Sequence, residues 1–213
     1  GVVGYMAAAL WANPKKAGGQ KKGDQRVGVE LGLTAEEKEQ LLQIARDVVE
    51  AHCRGGRSPK PEVDSPTLNE PRGAFVTLHK DGKLRGCIGH IRAKKPLVET
   101  IVEMAEAAAF QDPRFPPVSS QELGQLDYEI SVLTPLRRIK DVEEIQVGIH
   151  GIYLKRGGSS GLLLPQVATE WGWDRTTFLE HTCTKAGLPE DAWKDRKTEI
   201  YIFSADVFSP DDL

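Results

Sequence analysis

The chain has 213 residues, 39% hydrophobic and 28% charged, with 28 Lys+Arg against 31 Asp+Glu. That length buries a real core as one large domain or two small ones, and the net charge of −3 gives no whole-protein field drawing it to nucleic acid or anionic lipid. No apolar run reaches the ~18 residues of a membrane span, and the three cysteines, Cys53, Cys87 and Cys183, are too few for a disulfide scaffold, so a cytoplasmic location is expected.

The chain begins at Gly1 rather than Met, which suggests a piece of something longer. Gly1 to Leu10 is a short, apolar, β-capable run. Asn13 to Gly23 follows, rich in Gly and Lys with little to bury, as in a flexible connector. The expected organisation is therefore a remnant of a preceding unit over 1–12, a linker over 13–33 and a globular domain over 34–213.

Thr34-Ala35-Glu36-Glu37 has the pattern of a capping box, and Leu41, Leu42, Ala45, Val48 and Val49 recur at helical spacing to about His52. After a Pro-rich stretch, Gly73 to His79 and the run from Leu84 predict a hairpin turning on Asp81-Gly82. Pro96 opens a helix with an apolar face of Leu97, Ile101, Met104, Ala105 and Ala108. Its run Ala107-Ala108-Ala109 is small enough for another element to approach closely. Asp112 to Pro117 reads as a stiff irregular crossing and Tyr128 to Leu133 as a strand. Gly151 to Lys155 and Gly161 to Leu164 predict a second hairpin across the Gly/Ser-rich Arg156 to Ser160. A helix through Phe178, Leu179 and Thr182 ends at Gly187, and Thr198 to Phe203 closes the fold as a strand. Interleaved helices and hairpins predict an α+β fold, mostly antiparallel, with flanking helices.

The most unusual stretch is Leu84-Arg85-Gly86-Cys87-Ile88-Gly89-His90. On a regular strand Arg85 and Cys87 share a face, and an Arg beside a thiol favours the reactive thiolate. Gly86 and Gly89 let a ligand or another backbone come close. The alternative is a packed cysteine on a glycine-kinked strand, with the Arg paired to a carboxylate. His90, His181, Cys87 and Cys183 are zinc-ligand types, but their spacing does not bring them together, so no metal site is expected. Arg156 to Gly161 has phosphate-loop composition without the Lys-Ser/Thr ending, which favours a hairpin turn. Trp171-Gly172-Trp173 offers stacking faces or core packing, and Lys185 an anion contact or a favourable charge at a helix end.

The hexapeptide Leu84 to Gly89 resembles the hallmark of the AMMECR domain family. Further similarity follows in order: Asp112 to Pro117, Tyr128 to Pro135, Gly161 to Ala168, Gly172-Trp173 and Lys185 to Leu188, within a match spanning about Thr34 to Pro210. The resemblance implies a two-subdomain fold with a cleft between a larger and a smaller part, and no settled activity or cofactor. Prokaryotic relatives of the family occur beside, or fused to, Memo-like proteins and a radical S-adenosylmethionine protein, in the set called AmmeMemoRadiSam. Gly1 to Leu10 is itself similar to the closing strand of Memo-family proteins, which implies the C-terminal part of a Memo–AMMECR fusion.

Three functions compete. As an enzyme, the domain would use Cys87 as nucleophile and Arg85 as anion contact, with Arg85, Gly86, Cys87, Gly89, Asp112, Arg114 and Lys185 forming the ligand site. As a non-catalytic module, it would present a recognition surface to the Memo-like and radical S-adenosylmethionine proteins. Nucleotide or RNA binding is the third, although Arg85, Arg114, Lys155, Arg156 and Lys185 form no interleaved basic and aromatic track.

Overall fold

The computed structural model describes Val3–Gly4 and residues 29–213. The remainder of the expected remnant and linker lies outside the described residues. The described residues form two compact units: one comprises Val3–Gly4, 30–135 and 206–213, the other Val29 and 136–205.

In the first unit, α1 (Ala35–Cys53) starts at the expected capping box. Thr34 Oγ1 accepts from the Glu37 N–H at 3.2 Å, and Glu37 Oε2 accepts from the Thr34 N–H at 2.9 Å. A short helix, α2 (Pro66–Asn69), follows on a Ser65 cap. The first hairpin is β2 (Ala74–Lys80) and β3 (Lys83–His90), with Asp81 at φ 52° and Gly82 at φ 68°. Both left-handed residues are what a two-residue type I′ turn demands. After α3 (Leu97–Phe110), strand β4 (Leu126–Leu133) pairs antiparallel with β2. The two-residue strand β1 (Val3–Gly4) pairs with the outer edge of β3, Val3 opposite Gly89 and Gly4 opposite Ile88. Leu41, Ala45, Val48 and Val49 of α1 pack with Ile101, Met104, Ala105 and Ala108 of α3 and with Val76, Leu78, Ile88 and Ile130 of the sheet. Each large side chain so buried contributes ~1.5–3 kcal/mol before conformational entropy is subtracted. Leu31 and Leu33, inside the expected linker, also pack on this core because they are apolar and follow the Gly/Lys-rich run.

The second unit holds β5 (Arg137–Ile139), the hairpin β6 (His150–Arg156) and β7 (Ser159–Leu163), α4 (Pro165–Trp171) and α5 (Arg175–Lys185). Strand β8 (Glu199–Phe208) pairs antiparallel with β5 and β6, and its last three residues, Asp206–Phe208, belong to the first unit. Arg156 to Ser160 is the turn of a hairpin, as its composition suggested, and joins two strands rather than opening a helix.

The units share two packing devices. In each a strand glycine lies under a cross-strand aromatic ring: a Cβ on Gly89 would sit 2.2 Å from the Phe75 ring, and one on Gly151 would sit 2.3 Å from Phe203. In each a hairpin glycine also abuts helix backbone, Gly86 against the Ala108 carbonyl and Gly161 against the Ala186 N–H. No described helix is long and apolar enough to cross a membrane.

Candidate functional site

β3 is not a regular strand. Leu78 faces Gly86 and His79 faces Leu84, so Arg85 is the extra residue of a β-bulge. Simple alternation therefore fails at this residue, and of the two arrangements left open by the sequence Arg85 takes the pairing with a carboxylate. The Arg85 guanidinium grips Glu122 on one edge, Nε to Oε1 at 3.0 Å and Nη2 to Oε2 at 3.2 Å. Cys87 is 2% exposed, and the Thr77 hydroxyl donates to its sulfur at 3.2 Å. A buried thiol on a backbone held on both sides makes a poor nucleophile. Iodoacetamide is expected to label half-buried Cys53 ahead of Cys87 and Cys183, read by mass spectrometry of the alkylated peptides.

Gly86 and Gly89 are likewise not open to a ligand. The space beside Gly86 is filled by the Ala108 carbonyl, and that beside Gly89 by the Phe75 ring. The protein's own atoms made the approach that those glycines permit.

The outer edge of β3 is finished by side chains. β1 covers Ile88 and Gly89; next to them, Asp112 Oδ2 accepts from the Cys87 N–H at 2.9 Å and Arg114 Nη2 donates to the Cys87 carbonyl at 3.4 Å. An acid–base pair thus satisfies an edge that otherwise exposes unpaired backbone. Asp112 also accepts from the Arg114 N–H at 3.1 Å, from Nε at 2.9 Å and from Nη2 at 2.6 Å, with Pro113 stiffening the bend between them. Phe115 lies against both arginines, its ring centre 5.9 Å from Arg85 Cζ and 5.3 Å from Arg114 Cζ.

Glu122 completes the cluster. It sits in the 3-10 turn Ser120–Gln125, whose capping box lets the Ser119 N–H donate to Glu122 at 3.0 Å, and Lys80 Nζ reaches it at 3.2 Å. The Arg85 guanidinium, followed by the Ser119 N–H, holds the Glu122 carboxyl far below the usual carboxylate range. Burial pushes Asp112 up, but bonds from Arg114 and from the Cys87 N–H outweigh it and leave it lowered. For both, the folded state binds its proton less readily than the unfolded chain. The stabilisation is complete above the unfolded-state value and is lost as pH falls towards the folded-state one. Urea midpoints are expected to drop as pH falls below 4.5, the ordinary value for Glu122, and the drop should be shallower in Glu122→Gln.

Lys80, Arg85 and Arg114 face Asp112 and Glu122, a surplus of one positive charge among these five side chains. Nη1 of Arg85 and Nη1 of Arg114 are both buried with no hydrogen-bond partner among the described residues. Buried guanidinium N–H groups are costly to leave unmatched, and among the described residues these two atoms are the guanidinium nitrogens left so.

Lys185 belongs to the second unit, at the C-terminal end of α5. In the same unit Trp173 stacks on His181 at 4.0 Å and faces Trp171 at 6.1 Å, while Trp171 is 46% exposed. His90 meets Glu103 at 3.5 Å. A groove of about 600 Å³ runs along α3 under Pro59 and Pro61 and ends at Gln111, just before Asp112. Glu122, Lys80 and Phe115 were absent from the sequence-derived site. The Ser119-x-x-Glu122 capping pattern was visible, but nothing local ties Glu122 to Arg85.

The sequence profile of the AMMECR1 family matches residues 42–208. The chain belongs to the AMMECR1 family. It is 47% identical over 187 residues to a protein of Methanothermobacter thermautotrophicus, covering 84% of this chain and 97% of that one. A protein of Methanopyrus kandleri is 46% identical over 189 residues, covering 84% and 91%. The crystal structure of an uncharacterised protein from Pyrococcus horikoshii matches with a TM-score of 0.80 and 42% identity, over 83% of this chain and 93% of that one. The α+β, antiparallel fold expected from the sequence is thus the fold of a solved AMMECR1-family relative.

Proposed function

We propose that this AMMECR1-family domain is a binding module for a group that carries an anion, held by Arg85 and Arg114, and that it acts with a Memo-like protein and a radical S-adenosylmethionine protein. The carrying observation is the pair of buried Nη1 atoms without partners among the described residues, in a cluster of five side chains with one more cation than anion. Their carboxylates fix both guanidinium planes in advance, which lowers the ordering cost of binding. Cys87 is in this reading a packed strand residue rather than a nucleophile. A nucleic-acid track needs exposed cations with aromatic faces between them, and Arg85 and Arg114 are instead buried against a single ring.

Native mass spectrometry of the purified domain tests the anion half. A retained small anion should be lost in Arg85→Ala and kept in Cys87→Ser; loss in Cys87→Ser alone would restore the thiol reading. The partner half rests on the company the family keeps and on the similarity of Gly1 to Leu10 to a Memo-type closing strand. Size-exclusion chromatography with both proteins at micromolar concentration should give an earlier shared peak, and unshifted peaks would overturn that half.

A further inference from the structure

Which anion the cluster takes follows from its charge balance and from the shape of the donors it leaves unused. Three cations face two carboxylates, and both carboxylates are held in the ionised form. A surplus of one unit charge in a largely desolvated cluster is neutralised by a singly charged group. A dianion would leave a negative charge uncompensated where desolvation is most costly. The donors point the same way. Arg85 commits its Nε/Nη2 edge to Glu122, and Arg114 commits the same edge to Asp112. Neither guanidinium therefore keeps its side-on Nε/Nη2 fork for bidentate capture of one phosphate face, and Arg114 also spends its second Nη2–H on the Cys87 carbonyl. What remains is one nitrogen on each of two guanidinium groups that share the Phe115 ring. One nitrogen from each of two arginines is the donor number that the two oxygens of a carboxylate call for.

We infer, resting on the anion-binding reading above, that the group held between Arg85 and Arg114 is a carboxylate. The two nitrogens are covered, so binding requires a side chain to move, and we assign that movement to Phe115, half-buried and in ring contact with both guanidinium groups. Its ring then forms an apolar wall beside the bound group.

Thermal unfolding of the whole chain in sodium acetate, sodium phosphate or sodium sulfate, each matched in ionic strength with sodium chloride, tests the assignment. Acetate should raise the unfolding midpoint saturably, while phosphate and sulfate follow the chloride curve. Arg85→Lys keeps the charge opposite Glu122 but lacks the second donor, so acetate should bind it at least ~10-fold more weakly, as for loss of a charge-assisted hydrogen bond. A short peptide with a free C-terminus, compared with its amidated form, identifies the source: tighter binding than acetate by the free form alone marks a chain terminus, and binding no tighter marks a small acid. Saturable phosphate or sulfate binding without acetate binding would overturn the carboxylate assignment and leave the anion site standing. Saturation by none of the three would overturn both, and equal acetate stabilisation of Arg85→Lys would overturn the carboxylate assignment.

Discussion

Gly86→Ala is expected to destabilise the domain by about 3 kcal/mol or more, the upper range for overpacking a close-packed core. The added Cβ would lie 2.1 Å from the Ala108 carbonyl oxygen and 3.1 Å from its carbonyl carbon. Those are backbone atoms in the last turns of α3, so no side-chain rotation relieves the overlap. Relief requires β3 and α3 to separate, which opens the layer where Ile88, Val76 and Met104 are buried. The small run Ala107-Ala108-Ala109 is the helix's half of the same contact. Chemical denaturation should show a fall in midpoint much larger than for Gly124→Ala, where an added Cβ meets nothing within 4 Å. A wild-type midpoint in Gly86→Ala would contradict the packing account.

Asp112→Ala is expected to cost about 3–5 kcal/mol, the range for removing one partner of a buried ion pair. Three bonds from Arg114 and one from the Cys87 N–H end on this carboxylate, whose side chain is 2% exposed. Its loss leaves the Arg114 charge uncompensated and Cys87's edge N–H unpaired. Asp112→Asn keeps an acceptor for that N–H and should cost less than Asp112→Ala. In the double variant Asp112→Ala/Arg114→Ala the uncompensated charge is gone, so stability should partly return. A double-mutant cycle on urea midpoints measures the coupling, and strict additivity would show that the pair does not act as one unit.

Much of the fold was legible because its signals are local. The Thr34–Glu37 capping box, the Asp81-Gly82 turn, Pro96 before α3 and Gly187, at φ 70° after α5, each specify their own backbone within a few residues. Helix α4 was missed because its apolar residues run straight on from β7, and Pro165, which opens the helix, reads equally well as the end of a strand. Three-residue β5 exists through its pairing with β8, which no local pattern encodes. The candidate site was half legible. Arg85, Asp112 and Arg114 stood out by type and resemblance, and pairing of Arg85 with a carboxylate was one of two open arrangements, between which alternation could not choose because a bulge cannot be seen in a strand's own residues. Its partner Glu122 lies 37 positions away, and its attachment depends on the turn after Ser119. The glycines spoke for close approach without saying to what, and packing supplied the answer in Ala108 and Phe75.

Arg85 and Arg114, as donors of one anion site, carry the proposed function. A two-dimensional ¹H–¹⁵N correlation experiment on the arginine side chains, titrated with acetate at constant ionic strength, reads those donors themselves. The Arg85 and Arg114 signals should move saturably with one shared dissociation constant, and in Arg85→Lys the remaining Arg114 signal should respond only at much higher acetate, while the exposed Arg54 and Arg137 stay near their starting positions. Small, non-saturating changes of equal size at all four arginines would contradict the central claim.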